Sequence, residues 1–63
     1  MNGSKPLDVW IGDKRFGGWW IVEAGDLKVL TCYGCRKVKI GRRKPERYAA
    51  ELLEEIVREW LTT

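Results

Sequence analysis

Sixty-three residues with 12 Lys and Arg, 9 Asp and Glu, no His, two Cys and seven aromatics, four of them Trp, allow one small domain and no deep substrate cavity. Without His, and with no Ser, Thr or Cys beside an evident base, the common nucleophile and general-base pairs cannot be built. The chain therefore reads as a non-enzymatic binding protein that calls for no cofactor and no small-molecule substrate. Its longest uninterrupted apolar run, Trp19-Trp20-Ile21-Val22, is far short of the ~20 residues of a membrane span, and the first seven residues lack the apolar stretch of a secretory signal. The expectation is a soluble, cytoplasmic protein with no membrane partner. With no Gln, one Asn and 33% charged residues, the composition is like that of hyperthermophile proteins, a setting in which intracellular disulfides do occur.

Residues 1–6 are expected to be a flexible N-terminus and residues 7–63 a single domain. Two readings stay open for residues 7–16. Residues 8–11 form a short edge strand, with Gly12-Asp13 as its turn, Phe16 returning to the sheet and Gly17-Gly18 as a bend; or the segment folds over one sheet face and covers it. Residues 19–24 and 27–33 are rich in β-branched and aromatic side chains and flank Gly25-Asp26, a pair suited to a two-residue hairpin loop. That loop sets Glu23 opposite Lys28, Val22 opposite Val29 and Trp20 opposite Thr31. A second tight turn at Gly34-Cys35 leads into a strand over 36–40, with Thr31 opposite Val38 and Val29 opposite Ile40, and Gly41 ends the sheet. Pro45 suits the first helical position, and Ala49, Leu52, Leu53, Ile56, Val57, Trp60 and Leu61 then recur at spacings of three and four. This predicts an amphipathic helix over 45–61 and an α+β fold: a three-stranded or four-stranded antiparallel sheet packed on one C-terminal helix.

Alternation along the strands sorts residues to two faces. Trp20, Val22, Ala24, Leu27, Val29, Thr31, Val38 and Ile40 make an apolar face that receives the helix, including contacts from Val22, Val29, Val38 and Ile40 to Leu52, Leu53, Ile56 and Trp60. Trp19, Ile21, Glu23, Lys28, Leu30, Cys32, Lys37 and Lys39 make the second face, which mixes apolar bulk with positive charge. Trp10, Trp20 and Trp60 are expected in the core.

The charge is segmental. Residues 1–35 are neutral, residues 36–47 carry +6 and residues 48–63 carry −3. Such a concentrated field is the footprint of a polyanion-binding surface. Lys37 and Lys39 project from the second face, Arg42 and Arg43 lie in the connection, and Lys44 and Arg47 sit at the helix start, where the backbone dipole disfavours cations. An anion would complete such a site. The competing reading is neutralisation of the cluster by Glu46, Glu51 and other acids of the folded chain.

Cys32-Tyr-Gly-Cys35 is half of a zinc knuckle, but structural zinc needs four ligands and the chain has no His and no further Cys. Free thiols, a local disulfide, zinc shared between two subunits through Cys32 and Cys35, and a redox role all stay open. No zinc site within one chain is expected.

The run GGWWIVEAGDLKVLTCYGCRKVKIGRRKPERYAAELLEEIVREWL, residues 17–61, resembles in element order and charge placement the small DNA-binding domains of tyrosine recombinases, which share their layout with plant AP2-type domains. The resemblance implies a sheet that enters the major groove with the helix behind it, Trp19, Lys28, Lys37 and Lys39 facing DNA, and Arg42 and Arg43 on phosphates. The chain departs from that pattern in the Cys-containing turn and in having no catalytic recombinase domain, which leaves it to act alone or as an accessory factor of a mobile element or virus. It is less similar to the small basic chromatin proteins of hyperthermophilic archaea, which use a five-stranded barrel. The leading expectation is a small protein binding double-stranded DNA through Trp19, Lys28, Lys37, Lys39, Arg42, Arg43, Lys44 and Arg47. Its rival is a protein-interaction or homodimerisation module using the Trp19/Ile21/Leu30 surface.

Overall fold

The computed structural model describes residues 3–62. Four antiparallel strands form a meander in sequence order, β1 (Lys5–Ile11), β2 (Lys14–Glu23), β3 (Asp26–Thr31) and β4 (Gly34–Lys39), and one helix, α1 (Pro45–Leu61), packs across one face and touches all four. The α+β layout and the helix bounds agree with the sequence reading. The N-terminal segment takes the edge-strand alternative: β1 pairs with β2 from Lys5 opposite Trp20 to Ile11 opposite Lys14, turning at Gly12-Asp13. Lys5 and Pro6, expected within a flexible stretch, are paired strand, and the Met1 and Asn2 part of that expectation lies outside the described residues.

Gly17-Gly18 is not a bend but strand interior. A Cβ at Gly18 would lie 2.7 Å from Thr31 Cγ2 and 2.8 Å from the Leu30 carbonyl oxygen, so the sheet closes there only because no side chain is present.

Both later turns sit earlier than the sequence suggested. The β2–β3 loop is Ala24-Gly25, closed by Glu23 opposite Asp26. Both loop residues have positive φ, 52° and 80°, as a type I′ turn requires. The register slides by two and sets Trp20 opposite Val29, two residues of the buried face. Glu23 and Lys28 become diagonal neighbours and still meet at 2.9 Å.

The β3–β4 turn is Cys32-Tyr33, not Gly34-Cys35, and β4 begins at Gly34. The Thr31 side chain builds it: Oγ1 accepts from the Tyr33 and Gly34 amides at 2.9 and 3.0 Å and donates to the Gly34 carbonyl at 2.9 Å. This slides the second register by four. Both slips are even, so every side chain that stays within a strand keeps its expected face, while Ala24 and Cys32, expected on the two faces, become turn residues.

The core comprises Phe16, Trp20, Leu27 and Val29 from the sheet and Ala49, Leu52, Leu53, Ile56 and Val57 from the helix, with Val38, Ile40 and Tyr48 packed against it. Tyr33 closes one end, its ring 5.5 Å from Phe16 and 4.8 Å from Trp60. Three apolar expectations are corrected. Trp10 is 66% exposed because β1 is an edge strand and Trp10 points away from the helix. Trp60 is 50% exposed because the last helical turn lies at the rim of the core, and Val22 is 40% exposed because the end of β2 runs on past β1, which begins opposite Trp20. Among the described residues no helix is long and apolar enough to cross a membrane.

Candidate nucleic-acid interface

No described element covers the sheet face opposite the helix. Register places its side chains in rows across the strands: Trp10 with Arg15, Asp8 with Gly17, Pro6 with Trp19, Leu30 and Cys35, Ile21 with Lys28 and Lys37, and Glu23 with Asp26 and Lys39. Trp19 is 54% exposed and Leu30 42%. Trp19, Lys28, Lys37 and Lys39 thus share the open face that the sequence assigned them. Trp10 and Arg15 belong to it as well and were missed. Their signal, alternation along 5–11 and 14–18, is legible only once β1 is known to pair with β2 instead of covering it.

Ion pairs divide the cations of this face. Lys28 Nζ meets Glu23 at 2.9 Å, Lys37 meets Asp26 at 3.8 Å and Arg15 meets Asp8 at 4.0 Å. The hydrogen bond from Lys28, ahead of its charge, holds the Glu23 carboxyl below its ordinary pKa, and the same hydrogen bond to Glu23 holds the Lys28 ammonium above its own. Lys39 makes no ion pair with any described residue. The face therefore carries little net charge and sets exposed Trp10, Trp19 and Leu30 among ion pairs.

Positive charge accumulates at one end of the molecule. The start of β1, the ends of β2 and β4 and the start of α1 all lie there, and the Ile40 amide donates to the Gly25 carbonyl at 3.0 Å, tying the end of β4 to the β2–β3 turn. Lys44 is the helix N-cap and offers no side-chain cap, so Lys44 and Arg47 stand where the dipole is positive, with Glu46 in the first turn. An open cleft of about 510 Å³ here is lined by Lys5, Trp20, Lys44, Pro45, Glu46 and Arg47, with Lys5 Nζ 5.6 Å from the Trp20 ring centre.

Neutralisation explains part of the basic segment. Arg43 is held by Glu51 at 2.9 Å and lies 4.0 Å from the Tyr48 ring centre, so it is committed to the fold. Arg36 spans from β4 to Glu55 at 3.1 Å and Glu59 at 3.0 Å, which accounts for acidic residues near the helix C-terminus, where the dipole disfavours them. Among the described residues Lys5, Lys14, Lys39, Arg42, Lys44 and Arg47 make no ion pair, and all but Lys14 belong to the same end.

Cys32 and Cys35 are free and exposed. No group of three His, Cys, Asp or Glu comes together among the described residues, so zinc on these two thiols would need ligands from a second copy. The Tyr33 phenol between them is pushed up, by partial burial first and by Cys32 second.

Comparison with family models, with curated proteins and with solved structures finds no match to this chain.

Proposed function

We propose that this is a small DNA-binding protein, without catalytic activity of its own, that holds phosphates at its cationic end and presents the open sheet face to the bases. The observation that carries the reading is the gathering of Lys5, Lys39, Arg42, Lys44 and Arg47 at one end without carboxylate partners among the described residues, while Arg15, Lys28, Arg36, Lys37, Arg43 and Arg58 are each paired. Unpaired cations crowded on a 63-residue domain repel one another, and an anionic ligand relieves that repulsion while releasing its own counterions.

The test is a salt titration of binding to labelled DNA by fluorescence anisotropy. Each phosphate contact contributes about 0.7 to the slope of log K against log salt for single strands and about 0.9 for duplex. Arg42→Ala with Lys44→Ala should flatten the slope by about 1.4 to 1.8. Arg43→Ala should leave the slope nearly unchanged, because that guanidinium already serves Glu51 and Tyr48. An unchanged slope in the double variant at full folding refutes the reading.

The second reading, a protein-interaction or homodimerisation module, is favoured by one observation: Trp10, Trp19 and Leu30 are exposed on a face whose charges, Lys39 apart, are mutually paired. Apolar docking of that kind is insensitive to salt and depends on protein concentration.

A further inference from the structure

We propose that the DNA taken by this protein is single-stranded, with unpaired bases stacked against Trp19 and Trp10 on the open face and the phosphates led to the cationic end; this rests on the DNA-binding reading above. Shape is the first reason. Strands lie about 4.8 Å apart, so the axes of four span about 14 Å before side chains are added, whereas the major groove is about 12 Å wide and admits a helix or a two-stranded ribbon. Entry of the β3–β4 ribbon alone would leave the indole of Trp10, on the far edge strand, idle in water at 66% exposure.

Charge is the second reason. The face carboxylates Asp8, Glu23 and Asp26 neutralise Arg15, Lys28 and Lys37, and a duplex groove would press two phosphate walls against them. Two exposed indoles on a face of low net charge instead match the uncharged π-faces of bases. Base stacking on an aromatic side chain is worth about 1–3 kcal/mol and tolerates any sequence.

The third reason is the space between the two indoles. Trp10 lies opposite Arg15, and Trp19 follows four residues further along β2, about 13 Å away at the strand rise. Gly17 stands midway and presents no side chain. Beside it a depression of about 450 Å³ is walled by Trp19, Pro6, Asp8 and the Cys32-Tyr33 turn, so a base laid against the Trp19 indole has room over the Gly17 backbone. From Trp19 the rows run on through Lys28 and Lys37 to Lys39, which leads a backbone towards Arg42 and Lys44.

The experiment compares one labelled 20-nucleotide DNA strand, alone and annealed to its complement, with the whole protein, by anisotropy and by intrinsic Trp fluorescence over a salt series. The single strand should bind more tightly at every salt concentration and quench Trp emission. Trp19→Ala should weaken single-strand binding by about 5- to 150-fold, the range that 1–3 kcal/mol converts to, while Trp19→Phe retains most of it. Circular dichroism of both variants establishes that each is folded, as exposure of Trp19 leads one to expect. Duplex binding as tight as single-strand binding, or a folded Trp19→Ala variant that binds the single strand like the parent, overturns the inference while leaving the DNA-binding reading intact. Failure of both DNA forms to bind at low salt overturns the DNA-binding reading itself, and self-association abolished by Trp19→Ala then assigns the face to a second copy.

Discussion

Gly17 and Gly18 are neighbours on opposite faces of β2, and the same substitution should act on them in opposite ways. At Gly18 an added methyl meets Thr31 Cγ2 at 2.7 Å and the Leu30 carbonyl at 2.8 Å, and backbone cannot swing aside. Overpacking of this kind costs about 1–3 kcal/mol. Displacing Thr31 also strains the three hydrogen bonds its hydroxyl makes in the β3–β4 turn, each worth about 0.5–1.5 kcal/mol net. Gly18→Ala should therefore cost about 2–5 kcal/mol, set against a total of about 3–9 kcal/mol for a domain of this length. At Gly17 the methyl comes close only to the Asp8 carboxylate oxygen, at 3.1 Å and on an exposed side chain that can rotate away, and it meets the Leu7 carbonyl oxygen at an ordinary contact distance of 3.6 Å. Gly17→Ala should stay within about 1 kcal/mol of the parent, helped by a smaller unfolded-state entropy. Urea denaturation followed by Trp fluorescence measures both. If Gly18→Ala unfolds at the parent's midpoint, the close packing of Gly18, paired with Leu7, against Thr31 is wrong, and with it the row assignment of the open face. Gly17→Ala also partly fills the floor beside Trp19, so it should weaken DNA binding while the fold is kept.

Leu53 is fully buried under the sheet, and Leu53→Ala should cost about 2–5 kcal/mol in urea denaturation, whereas the exposed Leu61→Ala should change stability by less than about 0.5 kcal/mol. The Glu23–Lys28 pair should show in pH-dependent stability compared between parent and Glu23→Gln. The lowered Glu23 pKa means its contribution is present above the ordinary 4.5 and lost as pH falls through the folded-state value, and the raised Lys28 pKa means loss only as pH rises past the ordinary 10.5. The parent should exceed the variant between those limits and converge with it in acid; a constant gap down to pH 2 would sink the assignment. Arg36→Ala removes one guanidinium from both Glu55 and Glu59 and should lower stability modestly, by about 1 kcal/mol or less, with the deficit shrinking in high salt.

Local pattern carried the helix from Pro45 to Leu61, through its three-and-four spacing and the proline at its start, and the three C-terminal strands, through their β-branched and aromatic content, with alternation dividing their side chains between two faces. The face assignment survived two register errors because side chains alternate with a period of two, and slips of two and four residues leave parity untouched. The turns themselves were not readable from glycine positions. One was set by Ala24 accepting a left-handed conformation beside Gly25, the other by a threonine hydroxyl satisfying two amides, and each choice is decided by what the paired strands gain over their whole length. Burial of the aromatics away from the strand centres, and the pairing of the cations, were decided by tertiary structure. Trp10 and Trp60 satisfy every local criterion for burial, yet one lies on the outer side of an edge strand and the other where the helix leaves the core. Arg42 and Arg43 are adjacent and alike in sequence, and only the approach of Glu51 and Tyr48 from the next helical turns removes Arg43 from the free charge of the interface. Local pattern is set by neighbours a few residues apart, whereas partnership of a long charged side chain depends on groups up to 23 residues away, as between Arg36 and Glu59, and the chain brings these together only when the sheet and helix have packed.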